Sequence, residues 1–323
     1  MFSRDVLKLD AAATCTRIEQ AIREQVRERL RRRGAVVGMS GGVDSSVVAA
    51  LCARALGRDR VQALFMPERD SSDDALRLGR MVAEQLGIPT KVENIAPTLA
   101  AIGCYDRQNE AIRTVFPEYG DGWKCKISLP SILEGDRLSV FSLTVADPAG
   151  RQRRARMPAA AYLQIVAATN FKQRIRKTME YYHADRLMYA VAGTPNLLEY
   201  DQGFFVKLGD GSADFKPIAH LYKTQVYALA EYLGVPEEIR RRPPTTDTYS
   251  LSQTQEEFFF ALPYEKMDIC LWGMNHKQPA ADVAAALGLE AAQVERVYRD
   301  IQAKRRAAAY LHHSPILIEE QVA

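Results

Sequence analysis

The chain has 323 residues, of which 47% are hydrophobic and 26% are charged, which is the composition of an ordinary globular protein with a large core. Its formal net charge of +3 is too weak to indicate a nucleic-acid partner and agrees with anionic small-molecule substrates. No apolar stretch approaches the ~18 residues of a membrane span, and the N-terminus lacks a signal-peptide core. We therefore expect a cytoplasmic protein that binds neither membrane nor nucleic acid.

The five cysteines are widely scattered and form no C-x-x-C pair, which argues against a zinc site and against a disulfide framework. We expect reduced thiols. Cys125 lies between two lysines, which favours a lowered thiol pKa, but no histidine is close in sequence to make it a nucleophile.

The N-terminal segment carries apolar residues at every fourth position, and this spacing predicts an amphipathic helix that ends at the basic run 31–33 and Gly34. The helical spacing is carried by Ile18, Ile22, Val26 and Leu30.

The most informative segment follows, at residues 40–46, between a strand predicted at 35–39 and a helix predicted from Val47. Such a turn directs unpaired backbone N–H groups and the positive end of a helix dipole to one point. The loop therefore predicts a polyanion pocket. An acid beside phosphates requires a hard cation such as Mg²⁺ between them, so Asp44 is predicted to bind metal. The predicted pocket comprises Ser40, Gly41, Gly42, Asp44, Ser45 and Ser46.

Strands alternate with helices along most of the chain, and this order predicts an α/β fold with a doubly wound parallel sheet. Ligands of such sheets bind beyond the carboxyl ends of the strands, where residues 40–46 lie. The further predicted elements are strands at 61–65, 90–95 and 187–192 and helices at 72–86, 160–183, 223–233 and 279–310.

Residues 125–160 interrupt this alternation. An alternating run at 138–145, a turn at 147–150 and the basic stretch 151–156 predict an inserted hairpin. Its arginines face either an anionic ligand or only water. A second basic run, 240–242, is predicted to be exposed at a helix end.

A second strand-end loop, 193–196, is followed by Glu199. This position matches that of Asp44, and two carboxylates converging there would hold Mg²⁺ between the phosphates of one ATP.

Residues 40–46 resemble the S-G-G-x-D-S loop of the N-type ATP pyrophosphatases, which cleave ATP between its α- and β-phosphates. A larger set of motifs resembles the NAD⁺ synthetase family, which amidates nicotinic acid adenine dinucleotide. This set consists of N-F-K-Q-R at 170–174, G-T-x-x-x-x-E at 193–199, G-F-F-x-K-x-G-D-G-x-A-D at 203–214, L-x-K-x-Q at 221–225 and P-P-T at 243–245.

The resemblance implies one domain over 1–323 of the adenine nucleotide alpha hydrolase type, with an atypical insert at 125–160 and a helical C-terminal tail. It implies that ATP adenylates a carboxylic acid and that ammonia then displaces AMP. Free ammonia, or ammonia from a separate glutaminase, would supply the nitrogen, and the family forms homodimers.

The family's motifs also imply roles for single residues. Asp44 and Glu199 would hold the metal, and Lys223 would neutralise phosphate charge during catalysis. Asp210 would hold ammonia or take its proton. ATP would contact the residues of the 40–46 pocket together with Met66, Thr194, Lys223 and Thr245. The acid and ammonia would contact Asn170, Arg174, Lys207, Asp210 and Asp214.

Some residues depart from the family's pattern, among them Pro195, Leu197 and the second half of 245–249. A related ligase that acts on a different carboxylic acid is therefore the alternative. A tRNA-modifying enzyme would need a basic nucleic-acid face, and a nucleotide sensor would not need Lys223 or Asp210.

Overall fold

The computed structural model describes residues 2–132, 141–246 and 248–318. Its central sheet is parallel, with strand order β3-β2-β1-β7, and Ala35 in the inner strand β1 pairs with Val61 on one side and Ala190 on the other. The strands are β1 (Ala35–Gly38), β2 (Val61–Phe65), β3 (Thr90–Val92) and β7 (Ala190–Ala192).

Helices cover both faces of this sheet, which confirms the predicted doubly wound α/β fold. Alternate residues of a strand point to opposite faces, so Val37 joins one core cluster and Val36 another. The helices are α1 (Ala11–Arg23), α2 (Val43–Leu56), α3 (Asp73–Leu86), α4 (Ala96–Ala101), α5 (Cys104–Arg113), α6 (Ala159–Leu187), α7 (Leu197–Gln202), α8 (Lys223–Tyr232), α9 (Glu237–Arg241), α10 (Tyr264–Asn275), α11 (Ala280–Leu287) and α12 (Ala291–His312).

Helices α1, α2, α3 and α8 contribute to the core on the Val37 side, and α4, α5 and α6 contribute to the core on the Val36 side. The N-terminal helix is predicted to run through Leu30, and the chain does continue from α1 as a wider π-helical segment, Glu24–Arg29. The described helices include none with the length and apolarity of a bilayer span.

The predicted hairpin supplies the last two strands of a small antiparallel sheet with the order β4-β5-β6. These strands are β4 (Lys124–Ser128), β5 (Ser142–Ala146) and β6 (Gln152–Arg156). Asp147 closes the predicted turn, because its Oδ1 accepts the N–H groups of Ala149 and Arg151 at 3.0 Å each. Residues 138–140 of the predicted strand lie outside the described residues. Strand β4 was not predicted.

The C-terminal tail is helical, as predicted, and is divided into α11 and α12. Gly288, with φ +66°, lies in the left-handed region that suits glycine and ends α11. Buried residues such as Val283, Val297 and Ile301 pack these helices with α10 into a separate core cluster.

Asp268 in α10 caps the first turn of α8 from outside that helix. Its Oδ1 accepts the N–H of Lys223 at 3.2 Å and its Oδ2 accepts the N–H of Thr224 at 2.7 Å. These are two of the N–H groups that lack a partner within a helix's first turn. Burial raises the pKa of Asp268 to about 6.

The raised pKa predicts a pH-dependent difference in stability between the wild type and Asp268→Asn. Asp268 binds its proton more tightly in the folded protein than at its ordinary pKa of 3.8. This contribution to stability is present at low pH and is lost as the pH rises through 6. Between pH 7 and pH 5 the wild type should therefore gain about 1 kcal/mol relative to the variant. Urea unfolding of both proteins at pH 5, 6 and 7 measures this gain, and a constant difference would contradict it.

Candidate functional site

The loop between β1 and α2 is built on Gly41 and Gly42. Gly41 has φ +74°, and a Cβ there would lie 2.4 Å from the carbonyl oxygen of Ala75, so any side chain is excluded. Gly42 is the N-cap residue of α2 and has no side chain to occupy the space in front of the helix. The loop therefore leaves room for a ligand at the helix N-terminus.

The three loop serines differ in how their hydroxyl groups are used. The Oγ atoms of Ser40 and Ser45 lie 3.2 Å apart, and both residues line the cavity described next. Ser46 is fully buried, and its Oγ donates to the carbonyl oxygen of Gly42 at 2.8 Å. Ser46 does not line the cavity, so a role in phosphate binding stays a prediction.

A cavity of about 810 Å³ opens at the carboxyl ends of β1, β2 and β7. It brings together most of the residues that the sequence predicts for the site. The predicted residues that line it are Ser40, Gly41, Gly42, Asp44, Ser45, Met66, Asn170, Thr194, Glu199, Asp210, Lys223 and Thr245.

Asp44 and Glu199 face this same cavity and are joined through Asn196. The Nδ2 of Asn196 donates to Asp44 Oδ1 at 2.9 Å, and its backbone N–H donates to Glu199 Oε2 at 3.1 Å. The side chain of Asn196 also accepts the N–H of Glu199 at 3.2 Å, which completes a capping box at the start of α7. One residue thus fixes both carboxylates.

Lys223 is buried and forms an ion pair with Asp44 Oδ2. Burial alone would lower the pKa of Lys223, but the carboxylates of Asp44 and Glu199 outweigh it and the pKa is raised. The lysine is therefore charged. Burial and the charge of Asp44 raise the pKa of Glu199 to about 7, against the attraction of Lys223. When both carboxylates are ionised, their negative charge exceeds the positive charge of Lys223, so the site favours a further cation.

The donor set suits Mg²⁺. This ion prefers oxygen ligands and commonly binds one or two carboxylates together with phosphate oxygens. Asp44 and Glu199 supply two such carboxylates, and the raised pKa of Glu199 reflects in part its repulsion from Asp44, which a divalent ion would relieve. Within the described ranges, no group of three or more His, Cys, Asp or Glu is arranged to hold a metal. Phosphate oxygens would complete the coordination.

The cavity is also lined by Asn170 of α6 and by Asp210. The Oδ1 of Asp210 accepts the N–H of Val206 at 2.7 Å, and burial raises the pKa of its carboxyl group. A neutral or ionised carboxyl at this position is suited to bind a small nitrogen nucleophile.

Three predicted substrate residues have other contacts and do not line the cavity. Arg174 is exposed and its Nε donates to the carbonyl oxygen of Lys207 at 3.3 Å. The Nζ of Lys207 donates to the carbonyl oxygens of Tyr310 at 2.8 Å and His313 at 3.2 Å, at the end of α12. Asp214 accepts the N–H of Val191 at 2.7 Å. Their roles toward a substrate stay predictions.

Gln255 was missed as a site residue, and so was the function of Asn196. The Nε2 of Gln255 donates to Glu199 Oε1 at 2.9 Å, so both oxygens of that carboxylate have a donor. Asn196 carries a readable signal, because Asn followed three residues later by Glu is typical of a capping box. No local pattern marks Gln255, which approaches from a distant segment.

A buried charge network connects two walls of the cavity. The Nζ of Lys172 donates to Glu68 Oε1 at 3.0 Å, to Asp70 Oδ2 at 2.7 Å and to the carbonyl oxygen of Thr248 at 2.8 Å. Lys172 and Glu68 are 0% exposed, and Tyr105 donates its hydroxyl to Glu68 at 3.0 Å. The network therefore fixes the loop after β2 against the segment that contains Thr245.

Two expectations for other side chains change with the structure. Cys125 is buried and free, like the other four cysteines, and burial raises the pKa of its thiol, so the neighbouring lysines do not activate it. The basic run 240–242 is only partly exposed, because Arg240 and Arg242 are half-buried and line cavities.

Fold and site together define a doubly wound α/β protein with a glycine-serine loop after β1 and paired carboxylates at the ends of two parallel strands. A family model described as NAD synthase matches residues 14–115 and 143–308, so the chain belongs to that family. The unmatched stretch between them contains β4.

Relatives of high identity extend over the whole chain. A protein of Mesorhizobium japonicum named NH(3)-dependent NAD(+) synthetase is 64% identical over 98% of this chain and 99% of its own length. A Rhizobium meliloti protein of the same name is 60% identical over 99% of this chain and 95% of its own length.

Solved structures of lower identity support the fold. The NH3-dependent NAD synthetase of Campylobacter jejuni has a TM-score of 0.63 at 22% identity and covers 97% of this chain and 100% of its own. The NMN synthetase of Francisella tularensis has a TM-score of 0.66 at 20% identity and covers 96% of this chain and 99% of its own.

We expect a large loss of stability when the central positive charge of the buried network, that of Lys172, is removed. Lys172→Met leaves the carboxylate of Glu68 buried without its cation and leaves Asp70 paired with Arg69 alone, which should reduce the free energy of unfolding by about 3–5 kcal/mol. Lys8→Met, which removes an exposed ion pair with Asp5, should cost less than about 1 kcal/mol. Urea unfolding measures both values, and equal costs would contradict the assignment.

Proposed function

We propose that this protein amidates nicotinic acid adenine dinucleotide with ammonia and cleaves ATP to AMP and pyrophosphate in the process. The chain belongs to the NAD synthase family, and the relatives that match it over nearly their whole length are named NH(3)-dependent NAD(+) synthetase. Both findings support this activity. The structural observation that carries the proposal is the convergence of Asp44, Glu199 and Lys223 on one cavity. These groups are those that a reaction at a triphosphate needs.

The first step is adenylation. An oxygen of the substrate carboxylate attacks the α-phosphorus of ATP, and the bond from that phosphorus to the bridging oxygen of the β-phosphate breaks, releasing pyrophosphate. Lys223 would stabilise the charge on the phosphates, and the N-terminus of α2 would add N–H donors. Mg²⁺ bound by Asp44 and Glu199 would neutralise further phosphate charge.

The second step is amidation. Ammonia attacks the carbonyl carbon of the acyl adenylate, the nitrogen loses a proton and the carbon–oxygen bond to AMP breaks. Asp210, which lines the cavity, would bind the nitrogen or accept this proton. The cavity of about 810 Å³ has room for a nucleotide and part of a dinucleotide.

Three further expectations belong to this proposal. The resemblance to the family suggests that the protein forms a homodimer, that a separate glutaminase supplies the ammonia and that the protein is cytoplasmic. These three statements stay predictions. Mg²⁺ as the metal is supported by the oxygen donors of Asp44 and Glu199.

Product formation tests directly which carboxylic acid is the substrate. Purified protein is incubated with ATP, Mg²⁺ and ammonium chloride, and with either nicotinic acid adenine dinucleotide or nicotinic acid mononucleotide. We expect NAD⁺ together with stoichiometric AMP and pyrophosphate from the dinucleotide. The mononucleotide tests the alternative acid, since one solved protein of this fold is an NMN synthetase. Faster turnover of the mononucleotide would overturn the proposed substrate.

Asp44→Asn is predicted to lower pyrophosphate release by about a hundredfold or more, because it removes a charged metal ligand and the partner of Lys223. The variant keeps the size of the side chain. Asp59→Asn is the matched control, because the side chain of Asp59 is 91% exposed, and it should retain wild-type turnover. Full turnover by a folded Asp44→Asn protein would exclude Asp44 from the chemistry.

A further inference from the structure

Strand β4 lies in the stretch of the chain between the two parts that the family model matches, 14–115 and 143–308. One edge of β4 pairs with β5. A strand at the end of a sheet presents unpaired backbone groups along its other edge, where a further segment of chain can bind. In this protein residues 248–261, which we call the wall segment, bind to β4 and to the residue that follows it.

Backbone hydrogen bonds fix the wall segment at both ends of β4. The N–H of Cys125 donates to Ser250 Oγ at 2.9 Å, and the carbonyl oxygen of Cys125 accepts the N–H of Leu251 at 3.0 Å. Directly after the strand, the N–H of Leu129 donates to the carbonyl oxygen of Glu257 at 3.0 Å. The wall segment is therefore held at two separate places.

Two side-chain contacts lie between these places. The Nζ of Lys126 donates to Glu257 Oε1 at 2.6 Å, and the two side chains are 20% and 35% exposed. Gln253 is buried, and its Nε2 donates to the carbonyl oxygen of Ile127. Because the ion pair is partly buried, solvent screens it less than it screens an exposed pair.

The wall segment also shares an apolar core with the small sheet. Cys125, Ile127, Val145 and Tyr249 belong to one buried cluster, and Phe258 packs against it. These apolar surfaces return to water if the wall segment leaves the sheet. Apolar burial and hydrogen bonds thus hold the segment together.

The same segment forms part of the main cavity. Tyr249, Gln255 and Phe258 line that cavity, and Gln255 donates to the predicted metal ligand Glu199 at 2.9 Å. Residues 248–253 form neither a helix nor a strand. A segment with so few backbone bonds of its own opens readily unless other parts of the chain hold it.

We propose that β4 is a brace that holds the wall segment against the main cavity, and that Lys126 is a positioning residue that acts through Glu257. This inference rests on the proposed function, because Gln255 contacts the carboxylate of Glu199 that would serve Mg²⁺ and ATP. The brace sets the fraction of molecules in which this part of the site is complete before ATP binds. When that fraction falls, the apparent affinity falls with it. Lys126 does not line the cavity, so it affects the binding of ATP and not the rate of the chemical steps.

Hydrogen exchange tests the brace in the protein without ligands. Lys126→Glu places a like charge against Glu257, and combining it with Glu257→Lys restores the pair with its charges exchanged. We expect Lys126→Glu to lower the amide protection of residues 248–261 about tenfold or more, and the double variant to recover most of it. Glu118→Lys is the matched control, because it reverses a charge in the ion pair with Arg153 of the same sheet, and it should leave this protection unchanged.

ATP binding and turnover show whether the brace acts on the site. ATP with Mg²⁺ is titrated calorimetrically into the same proteins, and KM and kcat are measured for the amidation. We expect Lys126→Glu to weaken ATP binding and raise the KM for ATP about threefold or more, while kcat stays within about twofold of the wild type. Ser250→Ala removes one hydrogen bond without adding a charge, and it should act in the same direction and more weakly.

Thermal melting and exchange over the rest of the chain separate a local effect from a global one. Wild-type protection of the wall segment in Lys126→Glu, or an equal loss of protection throughout that variant, would overturn the proposal. Unchanged ATP affinity in Lys126→Glu, or a loss that the charge-exchanged pair does not restore, would overturn it as well. If the wild type forms no NAD⁺ while the exchange results hold, the proposed function fails and the brace stands.

Discussion

The contact between Asp44 and Lys223, with Asn196 on the other oxygen of the same carboxylate, is the interaction on which the site depends. Lys223 is only 2% exposed, and a buried ammonium group is costly unless it is paired. Asp44 supplies that partner and raises the pKa of the lysine, so the ion pair keeps Lys223 charged and in place. In the proposed reaction, ATP phosphates and a metal would take over both charges.

The sheet explains why these residues meet. Strand β7 pairs in parallel with β1, so the loops that follow both strands open at the same edge. Asp44 comes after the first loop and Glu199 after the second. The start of α8, which bears Lys223, is held by Asp268 of α10. A chain in which β7 paired elsewhere would have the same motifs and no site.

The sequence predicts the parts of this arrangement that rest on local patterns. The glycine-serine loop, the strand-and-helix order and the hairpin turn at Asp147 have short-range signals. The structure confirms the fold class, and the family model confirms the family. Strand β4 was missed because a short strand in an insert has few distinguishing residues. The roles of the single site residues stay predictions, although most of those residues share the cavity.

What the sequence does not predict comes from contacts between distant segments. Lys172 and Glu68 are 104 residues apart, and Gln255 is 56 residues from Glu199. Nothing local distinguishes a buried lysine in a charge network from a solvated one on a helix face. The same limit applies to Lys207, whose sequence motif suggests a substrate contact while its ammonium group caps α12. The partial burial of the basic run 240–242 has the same origin, because Arg240 and Arg242 line cavities together with residues from distant segments.

The central claim is that Asp44 and Glu199 bind one divalent ion together with ATP. A double-mutant cycle on Mn²⁺·ATP affinity tests it, with Asp44→Asn, Glu199→Gln and the double variant titrated with Mn²⁺ followed by electron paramagnetic resonance. If both carboxylates hold the same ion, the two losses are not additive and the double variant binds little worse than the weaker single variant. Losses that add in the double variant would show that the carboxylates act independently and would contradict the account.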